Sequence, residues 1–187
     1  MEIVFLVGYM AVGKTTIAQF LAEKLSAACV DLDDYIEKKG GKSVADLIND
    51  GGEEAFRKTE RKALTDVIDL FSGKRVDGRG RAKVVVALGG GTPCYADNMD
   101  VIRASGVVVW LRLSVGHLTE RLTAERGSRP LLSGVQDCRL SCTIGRHLTI
   151  RSTYYERAHI TVDIDGLSPD DAANLIIEKL KRILYNN

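Results

Sequence analysis

Ile3-Val4-Phe5-Leu6-Val7-Gly8-Tyr9-Met10-Ala11-Val12-Gly13-Lys14-Thr15-Thr16 opens with an apolar, β-branched run, passes a glycine-bounded turn and enters a helical pattern. Residues 8–15 fit GxxxxGK[ST] directly after a strand and directly before a helix, the context in which that spacing cradles phosphates. Its glycines let consecutive backbone N–H groups turn inward around phosphate oxygens, and the following helix adds the positive end of its dipole. Gly8, Ala11, Val12, Gly13, Lys14, Thr15 and Thr16 are therefore expected around a nucleotide. Lys14 would reach the β- and γ-phosphates, and the Thr15 hydroxyl would be a ligand of the magnesium that travels with ATP. A glycine-containing turn that matches by chance is the weaker alternative, because strand, loop and helix are in register.

Ile17, Phe20, Leu21 and Leu25 then keep helical spacing on one face, and Ala28-Cys29-Val30-Asp31-Leu32 reads as a second strand, so a β-α-β unit opens the chain. Three further runs, Val84 to Leu88, Val107 to Leu111 and Ile160 to Ile164, are apolar on both faces and suit strands buried under helices. The expectation is an α/β fold with a five-stranded parallel sheet in three layers, α/β/α. From Glu53 to Phe71 apolar residues trace an amphipathic helix with Arg57 beside the buried stripe. Ser168 as cap, Pro169 at the first helical position, Asp170 and Asp171, and then Lys179, Lys181 and Arg182 frame a closing helix.

The 187 residues, 45% hydrophobic and 27% charged, suit one domain spanning 1–187. With 26 basic and 25 acidic residues the net charge of +1 supplies no general field for a nucleic acid or an anionic membrane, so anion recognition must be local. Four cysteines without a CxxC pair suggest reduced thiols. The lack of a basic leader and of a long apolar span suggests a cytoplasmic protein. Ser72 to Lys83, with three glycines, five basic residues and one acid, reads as a solvated loop.

The chemistry concentrates elsewhere. Asp31-Leu32-Asp33-Asp34 ends the second strand, where carboxyl ends face the ligand crevice of an open α/β sheet. Strand alternation places Asp31 and Asp33 on one side, one to hold magnesium and one to accept a hydrogen bond from a substrate hydroxyl; the alternative is that these acids cap the following helix, the role expected of Asp34. Gly89-Gly90-Gly91 follows the third strand, and lets the backbone approach a ligand or makes a tight turn at positive φ. No acid closes that strand, so a Walker-B aspartate is absent there. Arg57 needs an anionic partner, which is a ligand or, as the alternative, Glu60 or Glu53 in a surface ion pair. Arg126-Gly127-Ser128-Arg129-Pro130-Leu131-Leu132 ends a helix begun near Ser114 and suits a lid that delivers an arginine, Arg129 ahead of Arg121 and Arg126. His117, His147 and His159 are scattered, and Cys138 and Cys142 lack histidine spacing, so no structural metal is expected.

Together these segments resemble the shikimate kinase family across nearly the whole chain. The phosphate loop, Asp31-Leu32-Asp33, Gly52-Glu53-Glu54-Ala55-Phe56-Arg57, Leu88-Gly89-Gly90-Gly91, Arg129-Pro130-Leu131-Leu132 and Arg151 before Tyr154-Tyr155 occur in the family's order and approximate spacing. The resemblance implies ATP-dependent phosphorylation of the 3-hydroxyl of shikimate, a step toward chorismate and the aromatic amino acids. It implies Lys14, Asp33 and Arg129 as catalytic residues, with Thr15 and Asp31 serving Mg2+ and Asp33 binding the reacting hydroxyl. Arg57 and Arg151 would clamp the substrate carboxylate, with Gly89, Gly90 and Gly91 lining the same pocket. Ser168 and Pro169 would contact adenine and Arg121 pack on it. A substrate-binding helical region falls at 34–62 and a lid at 123–141. Two stretches depart from the family: 72–83 looks long, and 135–148 looks like a surface insertion beside the lid. The rival readings are a kinase for gluconate or a nucleoside monophosphate, and a phosphate-loop switch with no small-molecule acceptor. Shikimate and ATP are the expected partners of a monomer, with no nucleic acid and no membrane.

Overall fold

Ile3–Val7 forms strand β1, and every one of its side chains is buried. The computed structural model describes residues 3–72, 84–124 and 137–185; the loop 73–83, Arg126, Arg129 and most of the expected lid lie outside the described residues, as does the Cys138 side chain. Strand β2 is Ala28–Asp31, β3 Val84–Ala87, β4 Val107–Arg112 and β5 Ile160–Asp163. All pair in parallel in the order β2-β3-β1-β4-β5, and Phe5 of β1 stands between Val86 and Val108. The most apolar strand is therefore central, and the loop that leaves it opens in the middle of the sheet's carboxyl edge.

Period-two alternation sorts β1 between two cores. Val4 and Leu6 face a cluster with helices α1 (Lys14–Leu25), α5 (Val115–Ala124), α6 (Asp137–Tyr155) and α7 (Pro169–Tyr185). Ile3, Phe5 and Val7 face α2 (Leu32–Gly40), α3 (Val44–Phe71) and α4 (Asn98–Ser105). Burial on both faces explains why these strands lack polar alternation, and the result is the expected α/β/α layering.

Three expectations change. The segment from 137 to 148 is the first half of α6, with Leu140 and Ile144 buried in the core, and not a surface insertion. Helix α3 begins nine residues before the expected start at Glu53 and is broken at Gly52, whose φ of 76° and ψ of 169° are not helical. The second arm, after Gly52, is the amphipathic helix read from the sequence. Finally, β2 stops at Asp31 and Leu32 already belongs to α2, so Asp33 does not sit on a strand.

The turn after β1 carries an unusual backbone choice. Gly8 has φ 143° and a Cβ there would stand 2.5 Å from the Leu111 carbonyl oxygen, so glycine is required. Ala11 also has positive φ, 59°, although its Cβ disfavours the left-handed region. Ala11→Gly is expected to stabilise the protein by about 0.5–1 kcal/mol, since relief of that strain exceeds the added chain entropy of glycine. Thermal unfolding checks this: a rise of roughly 1–4 °C is expected at this chain length, and a fall would show that Ala11 is unstrained.

Candidate active site

The loop after β1 lines a cavity of about 660 Å³ over the carboxyl edge of the sheet, together with Asp31, Asp33, Asp34, Gly89, Gly90, Arg121 and Pro169. Residues 10–17 form its floor, so Ala11, Val12, Gly13, Lys14, Thr15 and Thr16 are gathered as the sequence reading required. Lys14 is 9% exposed and its Nζ donates to the carbonyls of Gly8 and Tyr9, both at 2.9 Å. These bonds hold the ammonium over the loop. Arg121 donates from Nη1 to the carbonyls of Ala11 and Val12, so it braces the same loop from the cavity wall. Ile164, Leu167, Pro169 and Ala172 give the cavity an apolar end suited to a flat base. Ser168, next to Pro169, is the expected cap of α7, accepting from the Asp171 amide at 3.1 Å.

Asp31 is the N-cap of α2: its Oδ1 accepts from the amides of Asp33 and Asp34. The cap thus belongs to Asp31 and not to Asp34. The other oxygen, Oδ2, accepts from the Thr15 hydroxyl at 2.6 Å. A hydroxyl and a carboxylate side by side are hard oxygen donors of the kind a phosphate-bound divalent cation takes, with its remaining positions left to phosphate and water. Asp33 comes to the same place by the first turn of α2, not by strand alternation. It lines both this cavity and the next. Burial pushes its carboxyl up to about 6, aided by the negative charges of Asp31 and Glu60 and opposed by Lys14 and Arg57. A carboxylate with that value is ionised at neutral pH yet basic enough to share a hydroxyl proton.

The second cavity, of about 420 Å³, adjoins the first through Met10, Asp33, Gly89 and Gly90. Arg57, Arg151, Gly91, Phe56 and the first arm of α3 enclose the rest. The Arg57 side chain is 11% exposed and pairs with Glu60 at 2.8 Å and Glu53 at 3.1 Å, so both partners weighed from the sequence are engaged. Arg151 Nη1 is buried and has no hydrogen-bond partner among the described residues. A buried guanidinium nitrogen left in this condition is costly unless an acceptor arrives.

The three glycines are there for close approach, since none has positive φ. A Cβ on Gly89 would stand 2.8 Å from Glu60 Oε1 and 3.3 Å from Asp33 Oδ1, and one on Gly91 would overlap the Arg57 guanidinium. Sequence reasoning missed the role of Glu60, which is fully buried and also accepts from Thr92 Oγ1 at 2.6 Å. Its spacing of three from Arg57 was read as a surface pair; its place one turn before Ala63 and Leu64, on the buried stripe, was the available signal. Tyr155 carries no signal beyond its place after Arg151, yet its hydroxyl donates to the Gly90 carbonyl at 2.5 Å and holds the glycine turn. Among the described residues no cluster of three or more His, Cys, Asp or Glu side chains could hold a metal unaided.

The family model described as shikimate kinase matches residues 10–181. The shikimate kinase of Parabacteroides distasonis is 37% identical over 184 residues, 98% of this chain and 100% of the relative. The crystal structure of shikimate kinase from Bacteroides thetaiotaomicron is similar at a TM-score of 0.84 and 33% identity, covering 96% of this chain and 98% of that one. Shikimate kinase from Acinetobacter baumannii in complex with shikimate gives a TM-score of 0.83 at 31% identity, covering 100% of this chain and 95% of that one.

Proposed function

The chain belongs to the shikimate kinase family, and we propose that its two joined cavities divide that family's reaction between them, ATP in the larger and shikimate in the smaller. The protein is a kinase that uses ATP to phosphorylate shikimate at its 3-hydroxyl, on the route to chorismate and the aromatic amino acids. The observation that carries the site assignment is the shared wall. Asp33 stands where the cavities meet, and Arg151, whose Nη1 is buried with no hydrogen-bond partner among the described residues, lines the smaller one.

In this reading the loop amides and Lys14 hold the phosphates. Thr15 and Asp31 would hold Mg2+, which when bound neutralises charge on the β- and γ-phosphates. Arg57 and Arg151 take the shikimate carboxylate, for which a forked guanidinium is the best match. That orientation sets the 3-hydroxyl against Asp33, which binds it and accepts its proton as the γ-phosphoryl is transferred. Phosphoryl transfer asks for positioning and charge stabilisation more than covalent chemistry. Arg129, outside the described residues, would complete the charge stabilisation from the lid at 123–141, and Ser168, Pro169 and Arg121 would border the adenine. Among the described residues no helix is long and apolar enough to cross a membrane, and a cytoplasmic monomer is part of the same proposal.

The test is ADP release from MgATP by the purified protein, with shikimate, gluconate or a nucleoside monophosphate added separately. Stimulation by shikimate alone is the expected result. Stimulation by one of the others would reassign the smaller cavity, and ATP binding with no stimulation at all would favour a nucleotide switch.

A further inference from the structure

Helix α6 presents His147, Arg151 and Tyr155 at intervals of four residues, which puts them on one face at successive turns. All three reach the joined loops of the site. Tyr155 holds the Gly90 carbonyl, Arg151 lies over the Tyr9 ring at 5.4 Å from its centroid, and His147 Nδ1 is 2.9 Å from the Tyr9 hydroxyl. Tyr9 is itself part of the phosphate loop and is only 1% exposed.

Arg151 Nη1 has no hydrogen-bond partner among the described residues; the guanidinium is held from one side by a hydrogen bond with the Tyr155 side chain and from the other by the flat contact with the Tyr9 ring. A cation over a desolvated aromatic face is attracted to it, but only while the ring keeps its tilt. The Tyr9 hydroxyl is the handle on that tilt. We propose that His147 is a positioning residue for acceptor binding, fixing the Tyr9 ring by its hydrogen bond so that Arg151 points into the smaller cavity. The inference rests on the reading of Arg151 as a ligand of the shikimate carboxylate.

The protonation states agree with this geometry. Burial raises the Tyr9 phenol, so it remains a donor. Burial and the charges of Arg151 and Arg146 lower His147, so its ring is neutral and, with its proton on Nε2, accepts at Nδ1. If the pair served only to satisfy a buried hydroxyl, its loss would weaken the fold and both substrates alike.

Steady-state kinetics of three variants separate the two cases. His147→Leu is expected to raise the KM for shikimate about fivefold, the worth of one net hydrogen bond. The KM for ATP, measured in the same samples, should move by less than about twofold, as should kcat. His147→Asn returns an acceptor oxygen near the Nδ1 position and should recover most of the lost shikimate affinity. Tyr9→Phe keeps the ring and removes only the hydroxyl; it should raise the shikimate KM as much as His147→Leu does, and the double variant should be no worse in shikimate KM than either single one. Stimulation of the parent protein by shikimate tests the acceptor reading by itself, before any variant is made. An unchanged shikimate KM in His147→Leu, or equal losses for both substrates with no recovery in His147→Asn, would overturn the positioning role.

Discussion

Asp33→Asn is expected to lower kcat by about 10²- to 10⁴-fold, the usual worth of a positioned base, while making the protein more stable at neutral pH. The two effects have one origin. Burial and the neighbouring carboxylates hold the Asp33 pKa at about 6 in the folded chain against 3.8 for the free side chain. A carboxyl raised in this way gives its full stability below pH 3.8 and loses it as pH climbs through 6, a difference of about 3 kcal/mol above that window. Asparagine cannot ionise and escapes the loss. Urea unfolding of parent and variant should therefore give equal stabilities near pH 4 and a gap that opens in the variant's favour by pH 7.5. Parent activity should fall as pH is lowered through about 6 and Asp33 takes up a proton. Equal stability of the two proteins at pH 7.5 would show that Asp33 is hydrated and not strained, and would remove the physical basis for its basicity.

Glu60→Ala works in the opposite direction. Glu60 is fully buried, its carboxylate is shared between Arg57 and Thr92, and Arg57 is largely covered. Removing the acid leaves a guanidinium half-paired in a low-dielectric site and orphans a buried hydroxyl, at a cost of roughly 3–5 kcal/mol. For a chain of this length that lowers Tm by roughly 6–20 °C. Shikimate binding should weaken in the same variant, because Arg57 is then free to swing toward Glu53 at the rim. Denaturant unfolding with parallel shikimate titration checks both. A loss below about 1 kcal/mol, the value of an exposed pair, would mean that Glu53 and water replace Glu60 without penalty.

These two carboxylates also mark the boundary of what the sequence could tell. The phosphate loop, the parallel strands and the arm of α3 carrying Arg57 were legible because each is encoded locally, in a run, a turn or a helical stripe. The glycines at 89–91 were legible as residues but their reason was not: it is the approach of Glu60, Asp33 and Arg57 from α2 and α3, which only tertiary packing reveals. Asp33 was assigned to the right place by the wrong route, since a strand that ends one residue early converts an alternation into a helix turn. The segment after 137 misled because its buried positions, Leu140 and Ile144, are thinly spread among polar residues and glycine. Glu60 looked like half of a surface pair because an i, i+3 spacing says nothing about which side of the helix the protein covers.

The order of the strands has a bearing on inheritance. The phosphate loop springs from β1 and α1 at the middle of the sheet, whereas one wall of the smaller cavity, the first arm of α3, belongs to a long excursion between β2 and β3, neighbours at its edge. Such an excursion can double in length for only about 0.6 kcal/mol of extra closure entropy, and it returns to the same strand register whatever it encloses. Substitutions in the first arm of α3 can therefore reshape one wall of the smaller cavity while the phosphate loop and Arg151 stay where they are: the sheet behaves as a fixed handle, and that arm as an exchangeable tool.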